Sequence, residues 1–203
     1  MGSIGWEYYR REDISFREYP PNLDAVLENG TLRHGYKIIN EDDQLRFEAW
    51  VLGMRDAWGE TGMGSGGRLS WLYRNAKTYG AKRPWMTLIA FGRDDNRILG
   101  TASFAKPTEE DHSAFGVLDF VCVSLELHGH GIGRLICTET DQHIQREVNK
   151  RRGERIVNLR TINEGANRMY GRLGYKEWGE PLSLPGFGTH RSLAKTFKPV
   201  RAS

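Results

Sequence analysis

The sequence predicts an α/β protein with a mixed central sheet and helices on both of its faces. Apolar runs of strand length alternate with longer segments whose apolar residues recur at helical spacing. Towards either end of the chain, neighbouring runs are close enough to form hairpins, which add antiparallel pairs to the sheet. With 203 residues, 38% of them apolar, the chain is long enough for one domain with its own core and too short for two.

The elements can be assigned in chain order. Residues 1–30 are treated as an N-terminal extension of unassigned structure, and residues 31–203 as a single domain. The predicted strands cover residues 32–39, 85–91, 98–105, 117–123, 156–161, 175–178 and 191–197. The predicted helices cover residues 41–58, 68–79, 132–152 and a segment that follows residue 163. Residues 182–188, which include a proline, are predicted to form a loop.

Composition excludes several classes of protein. The net charge of +3 is too small to indicate a nucleic-acid-binding protein. Five basic residues near the end of the long helix are interpreted as complementing its negative end, with a phosphate or RNA contact as the alternative. They are Arg146, Lys150, Arg151, Arg152 and Arg155. Two cysteines make no disulfide scaffold, and the sequence lacks both a membrane-spanning apolar run and a signal-peptide core. We therefore expect a soluble, cytoplasmic protein with no membrane partner.

The stretch from Gly116 to Arg152 is predicted to form a strand, a glycine turn and a helix. The turn reads His128-Gly129-His130-Gly131-Ile132-Gly133-Arg134. Glycines allow the backbone to take left-handed angles, and a helix that opens at Ile132 adds unpaired N–H donors and a partial positive charge. The turn therefore suits an anion. It matches two better-known phosphate loops only weakly, because a P-loop has a lysine after its glycines and the dinucleotide fingerprint has its third glycine one residue later. A plain tight turn is the alternative.

A second motif lies beyond the next predicted strand. It begins at Asn163, a residue suited to cap a helix, and continues with Ala166, Tyr170, Gly174 and Tyr175 at the spacing Asn-x-x-Ala-x-x-x-Tyr-x-x-x-Gly-aromatic. Together, the two motifs resemble those of the GNAT superfamily of acyl-CoA-dependent N-acyltransferases, in which Gln/Arg-x-x-Gly-x-Gly/Ala cradles the coenzyme A pyrophosphate. His128 stands in the Gln/Arg position, which is the clearest departure from the family pattern.

The resemblance implies a fold and a co-substrate. The fold is a GNAT-like mixed sheet whose central strands splay apart, leaving a slot for the pantetheine arm of acetyl-CoA. Backbone groups of Val121 and Val123 are expected to bond that arm. The diphosphate is expected on the segment from His128 to Arg134, whose members are His128, Gly129, His130, Gly131, Ile132, Gly133 and Arg134. Asn163 and Asn167 are expected to contribute to cofactor binding. A histidine at position 128 would make the phosphate contact sensitive to pH.

Tyr170 is the predicted proton source for the departing thiolate, because the reference pKa of a phenol lies close to that of a thiol. The resemblance assigns the same role to the tyrosine at this point of the motif. A core tyrosine is the alternative. Asp119 is the predicted base for the amine, and a bond to a neighbouring backbone group is an equal alternative for its carboxylate. The histidines have no metal-ligand spacing, so we expect no metal.

The acceptor is predicted to be a small-molecule amine, because the half of the chain before residue 86 is rich in aromatic residues that suit a small amine or pack a core: Trp50, Trp58, Trp71, Tyr73 and Trp85. Residues 59–67 contain five glycines and are interpreted as a lid over the acceptor pocket or as a linker. Three alternatives remain open: a protein or peptide N-acetyltransferase, a transferase that uses aminoacyl-tRNA, and a non-catalytic acyl-CoA-binding module. Nucleic acid is otherwise not expected, and oligomeric state is left open, a homodimer included.

Overall fold

The computed structural model describes residues 9–19, 36–53, 86–105, 114–161, 163–184 and 188–200. Within these ranges it contains nine strands and three α-helices. The strands are β1 Ile14–Tyr19, β2 Lys37–Ile38, β3 Met86–Gly92, β4 Ile98–Ala105, β5 Gly116–Val123, β6 Arg155–Thr161, β7 Lys176–Glu177, β8 Leu182–Leu184 and β9 Gly188–Phe197. The helices are α1 Glu41–Gly53, α2 Ile132–Asn149 and α3 Glu164–Arg172.

The strands form a mixed sheet in the order β2-β1-β3-β4-β5-β6-β9-β7, with β8 added along β9. Strands β1, β3, β4 and β5 are antiparallel to their neighbours in this series, whereas β5 and β6 run parallel. A parallel pair requires a crossover, and α2 supplies it. The predicted mixed sheet is confirmed.

The two central strands, β5 and β6, are hydrogen-bonded over a short length and then separate. β5 and β6 share only two residue pairs, Gly116 with Val157 and Val117 with Asn158. From Leu118 onwards, β5 has no described strand beside it on that side, although its other edge stays paired with β4 as far as Val123. The predicted slot between the splayed strands is therefore present.

A core lies on each face of the sheet. On one face, α2 contributes Ile132, Ile136, Ile144 and Val148 to a large cluster that also includes Tyr170 of α3. On the other face, Phe47 and Val51 of α1 pack on Phe120 and other apolar residues of the sheet. Helices on both faces, which the sequence predicts, are confirmed. Among the described helices, none is both long and apolar enough to cross a membrane.

Asparagine starts two of the helices. The Asn40 side chain accepts a hydrogen bond from the Asp43 amide at 2.8 Å, and the Asn163 side chain accepts one from the Ala166 amide at 3.0 Å. Each cap satisfies a donor that the first turn of a helix leaves unpaired. The second cap fixes where α3 begins, and thereby where Tyr170 lies.

Several element assignments need correction. Residues 182–184, predicted as part of a loop, form β8, which pairs with β9 from Leu182 opposite His190 to Leu184 opposite Gly188. The alternation Leu-Ser-Leu followed by Pro-Gly is a hairpin signal that the loop interpretation overlooked.

Two other elements also differ from their prediction. Residues 14–19, which the sequence analysis left unassigned, form β1 between β2 and β3. α2 ends at Asn149 rather than at residue 152. The predicted helix over 68–79 and the glycine-rich residues 59–67 lie outside the described residues.

Candidate active site

The loop before α2 has the geometry that its glycines predict. Gly129 and Gly131 have φ angles of 84° and 82°, in the left-handed region that other residues rarely adopt. A β-carbon added to either would have no atom within 4 Å. These two glycines are therefore required by the backbone conformation and not by crowding, and both border open space.

Backbone donors converge on this open space. Among the described residues, none accepts a hydrogen bond from the amides of Gly129 and Gly131, nor from those of the first three residues of α2, which are Ile132, Gly133 and Arg134. The helical ladder starts only with the Leu135 amide, which donates to the Gly131 carbonyl at 3.1 Å. No side chain caps the helix, and Arg134 adds a cation to its first turn, where an acid would normally be favoured. The loop, which we call the amide cradle (residues 129–134), is built for an anion.

Gly133 has a different function. It lies inside α2 with a helical backbone, and a β-carbon there would be 3.2 Å from Met169 Sδ and 3.5 Å from Val123 Cγ2. The missing side chain lets α2 approach both α3 and β5 closely. This contact brings the start of α2 next to α3, the helix that carries Tyr170.

His128 holds the cradle to the end of β5. Its Nε2 donates to the Val123 carbonyl oxygen at 3.0 Å, and because a carbonyl can only accept, Nε2 carries the hydrogen. The ring is exposed, and the bond spans the short turn formed by residues 125–127. His128 thus fixes the loop through the strand rather than by pointing into the cradle, which accounts for a histidine where the resemblance implies glutamine or arginine.

A bulge shapes β5 beside the slot. The register between β4 and β5 shifts between Thr101 and Ser103, and Phe120 opposite this shift has a φ of 48°. Because a left-handed angle is unfavourable for a bulky residue, the conformation must be held by its surroundings. Beyond the bulge, the half-buried side chains of Val121 and Val123 pack against the α2 core. Their strand continues along the unpaired edge of the slot.

Tyr170 lies at the inner side of this region. It is 6% exposed and packs edge-on against the Tyr175 ring, with 5.9 Å between ring centroids. Burial is the main cause that raises the pKa of Tyr170 well above its ordinary value, and the nearby groups of Cys137, Cys122, Asp119 and Asp141 add to the shift. The phenol is therefore protonated at neutral pH.

Asp119 is close enough to act electrostatically on Tyr170. One carboxylate oxygen accepts a hydrogen bond from the Phe120 amide at 2.7 Å, so the structural alternative weighed for this residue is observed. The same bond supports the bulge.

A buried charged network behind Tyr170 was missed by the sequence reasoning. Asp141 of α2 accepts hydrogen bonds from the Tyr175 hydroxyl at 2.8 Å and from Lys195 Nζ at 2.6 Å. Its burial is the main cause that raises the pKa of Asp141, while Lys195 and Tyr175 oppose the shift. An acid on the apolar face of an amphipathic helix was the available signal, because such an acid needs a partner.

The remaining predicted site residues have local roles in the structure. The Asn163 side chain caps α3, and the Asn167 amide donates to the Asn163 carbonyl at 2.8 Å. His130 is half-buried at the rim of the cradle.

Trp50, one of the aromatic residues proposed for the acceptor, donates to Ser124 Oγ at 3.0 Å and stacks on Phe47, so its ring has a packing role. Four further aromatics proposed for the acceptor lie outside the described residues: Trp58, Trp71, Tyr73 and Trp85. Within the described part of the chain, no three His, Cys, Asp or Glu side chains cluster as metal ligands do.

Comparisons with known proteins agree with this geometry. Residues 87–177 match the family model described as acetyltransferase (GNAT) domain. No curated protein sequence matches the chain.

Solved structures with the same fold extend the match to most of the chain. An acetyltransferase of the GNAT family from Streptococcus pneumoniae is 17% identical, with a TM-score of 0.61 over 91% of this chain and 99% of that chain. Spermidine N-acetyltransferase from Vibrio cholerae, in complex with CoA and spermine, is 12% identical, with a TM-score of 0.58 over 91% of this chain and 96% of that one. The protein yncA from Salmonella typhimurium, with its cofactor acetyl-CoA, is 15% identical, with a TM-score of 0.54 over 94% of this chain and 97% of that one. At these identities, the likeness demonstrates a common fold.

Proposed function

We propose that this chain, whose residues 87–177 match the GNAT acetyltransferase family model, transfers an acetyl group from acetyl-CoA to a primary amine of a small molecule by direct attack. The observation that carries the proposal is the amide cradle beside a slot between splayed strands. Its amides, which no described residue pairs with, and its helix N-terminus suit a diphosphate, and the slot presents to an extended arm a strand edge that β6 leaves after two residue pairs. Tyr170 lies where the motif of the family has its proton donor.

The proposed binding uses the backbone more than side chains. The amides of the cradle hold the diphosphate of acetyl-CoA. Val121 and Val123 offer the pantetheine arm the strand edge that β6 leaves unpaired. His128 orients the Val123 end of that edge through its bond to the Val123 carbonyl. Asn163 acts by fixing the start of α3, and Asn167 belongs to the first turn of the same helix.

The proposed chemistry needs two proton movements. A nitrogen–carbon bond forms as the amine attacks the acetyl carbonyl, and the carbon–sulfur bond breaks. Tyr170 gives its phenolic proton to the departing sulfur, and Asp119 takes, directly or through water, the proton that the nitrogen loses. Burial disfavours an anion, so it raises the pKa of Tyr170 and would also raise the pKa of a thiol released beside it.

A small amine is the favoured acceptor. The spermidine N-acetyltransferase that shares the fold has an amine substrate in its name and is crystallised with spermine. Initial rates should saturate with free small amines and stay at background with peptides. The reverse result would favour the protein or peptide N-acetyltransferase. A donor dependence on aminoacyl-tRNA that weakens steeply with salt would instead identify the tRNA-dependent transferase.

Tyr170→Phe tests the mechanism. We expect kcat to fall by about tenfold or more, because a positioned general acid commonly contributes at least that factor. The Kd of acetyl-CoA, measured by calorimetry, should stay unchanged. Tyr19→Phe is the matched control, since Tyr19 is 3% exposed and its hydroxyl donates to Glu48 at 2.8 Å on the other side of the sheet.

Two outcomes would contradict the proposal. If no CoA species produces heat, the cradle does not bind a diphosphate and the chain is no acetyltransferase of this kind. If acetyl-CoA binds but Tyr170→Phe and Tyr19→Phe turn over alike, Tyr170 is a core tyrosine and the proton comes from elsewhere.

A further inference from the structure

A cavity lies on the side of α2 that faces β1. It has a volume of about 570 Å³ and is lined mainly by Arg11, Arg93, Arg146, Glu139 and Tyr36. We call it the arginine pocket. Ile14 and Phe16 of β1 add apolar surface to its wall. Nothing in the proposed transfer reaction uses it.

The charges in the arginine pocket do not balance. Glu139 is its carboxylate, and both oxygens are occupied, one by Arg11 Nε at 2.9 Å and the other by the Tyr36 hydroxyl at 3.1 Å. Arg146 donates to the same Tyr36 hydroxyl at 2.8 Å, and Arg93 donates to the carbonyls of Glu12 and Ile14. Among the described residues, no carboxylate forms an ion pair with Arg93 or Arg146. In the described part of the chain, these two guanidinium groups therefore have only neutral hydrogen-bond partners in the pocket that they share.

The guanidinium groups are held in place before any ligand arrives. Arg11 stacks over the Phe16 ring with 4.5 Å to its centroid, and Arg146 lies over the Tyr36 ring at 5.7 Å. Burial and the Glu139 charge raise the pKa of Tyr36 to about 12, so its hydroxyl supplies no negative charge at neutral pH. Holding like charges together costs free energy, and an arginine already ordered by hydrogen bonds loses less entropy when it binds an anion.

The arginine pocket is separate from the amide cradle. Glu139 and Arg146 come seven and fourteen residues after Ile132, which places them about 10 and 21 Å along the axis of α2 at about 1.5 Å per residue. They also face β1, whereas the start of α2 faces β5 and α3.

We propose that the arginine pocket binds a small phosphate monoester, with Arg93 and Arg146 holding the phosphate and Ile14 and Phe16 contacting its organic part. A dianionic phosphate matches these two guanidinium groups, which no described carboxylate pairs with. Their planar forks suit phosphate oxygens, which they can contact in pairs. The cavity is much larger than a bare phosphate, and its apolar wall favours an ester with a carbon skeleton.

Calorimetry on the full chain saturated with CoA tests the proposal, because CoA fills the cradle. The probes are inorganic phosphate and glycerol 3-phosphate, titrated at constant ionic strength against chloride. We expect glycerol 3-phosphate to bind the wild type, and the double variant Arg93→Met/Arg146→Met to bind it at least about tenfold more weakly. The double variant Arg168→Met/Arg191→Met removes two surface arginines that pair with Glu164 and Glu177 elsewhere, and should bind like the wild type.

Charge and geometry are separated by one more variant. Arg146→Lys keeps the charge but loses the fork, so it should bind glycerol 3-phosphate more weakly than the wild type and more tightly than the double methionine variant. It also keeps the test valid if the double variant fails to fold, since Arg146 is exposed and retains a cation there.

Three results would overturn the proposal. One is absence of heat in the wild type, and another is equal binding by all variants. The third is a loss of acetyl-CoA affinity, but not of 3′-dephospho-CoA affinity, in the Arg93→Met/Arg146→Met protein, which would make the pocket a subsite for the phosphate of CoA itself. If the chain binds no CoA at all, the proposed function fails, while the comparison among variants still decides the arginine pocket.

Discussion

Replacement of the cradle glycines by alanine separates backbone conformation from crowding. Gly131→Ala puts a β-carbon on a residue with a φ of 82° but meets no atom within 4 Å. A left-handed angle costs an alanine about 1–2 kcal/mol, and the loss of unfolded-chain entropy returns about 0.4–1 kcal/mol. We therefore expect Gly131→Ala to lower the free energy of unfolding by about 1 kcal/mol.

Two helical glycines give the matched comparison. Gly171 of α3 has nothing within 4 Å of an added β-carbon, so Gly171→Ala should stabilise the protein by up to about 1 kcal/mol. Gly133→Ala should change stability by less than about 0.5 kcal/mol, because its helical gain is offset by contact with the flexible end of Met169 at 3.2 Å.

Acetyl-CoA binding should follow a different order. If Gly131→Ala relaxes away from its left-handed angle, the amides on either side turn away from the open space, and about 1.4 kcal/mol of lost binding raises the Kd about tenfold. Gly171→Ala should leave the Kd unchanged. Urea titration measures the stabilities, and calorimetry measures the Kd values. Equal acetyl-CoA affinity for the Gly131→Ala and Gly171→Ala proteins would refute the view that these amides grip the diphosphate.

Three further predictions follow from buried groups. Because the pKa of Tyr36 is raised from 10 to about 12 in the folded state, its contribution to stability is complete below pH 10 and is lost as the pH rises towards 12; urea midpoints of the wild type should fall more steeply over this range than those of Tyr36→Phe. Asp43 is 4% exposed and pairs with both Arg17 and Arg46, so Asp43→Ala should cost about 3 kcal/mol in urea titrations, and a cost below about 1 kcal/mol would mean that water screens these pairs. Cys137 is fully buried, and burial raises its pKa, so a thiol reagent should label it only in denaturant; labelling of the native protein would reveal local opening of α2.

The local parts of the site could be predicted from the sequence. The amide cradle follows from glycine spacing, because a left-handed angle is decided by one residue and its neighbours. The Asn163 cap likewise depends on a bond across three residues. Strand β4 was predicted with its observed bounds, because a run of apolar and small residues bounded by turn residues needs no knowledge of distant segments.

The nonlocal parts could not be predicted. Arg11 meets Glu139 across 128 positions of sequence, and Lys195 meets Asp141 across 54. Hydrophobic periodicity predicts that one face of α2 is buried, but it does not predict which charged residue from another element pairs with an acid on that face. Strand β1 was missed for a related reason, since six residues near the start of the chain gain their strand conformation from hydrogen bonds to β3.

The sequence by itself determined the mixed sheet, the glycine turn, the capped helix and the family that these motifs resemble, because each rests on short-range stereochemistry and on the period of apolar residues. Only the tertiary structure decided at which residue pair β5 and β6 separate, that Asp119 lies within electrostatic range of Tyr170, and that Arg93 and Arg146 share a pocket in which Glu139 is the acid described. These features depend on how separate elements pack, and packing is fixed by the shapes and charges of surfaces that meet only when the chain has folded.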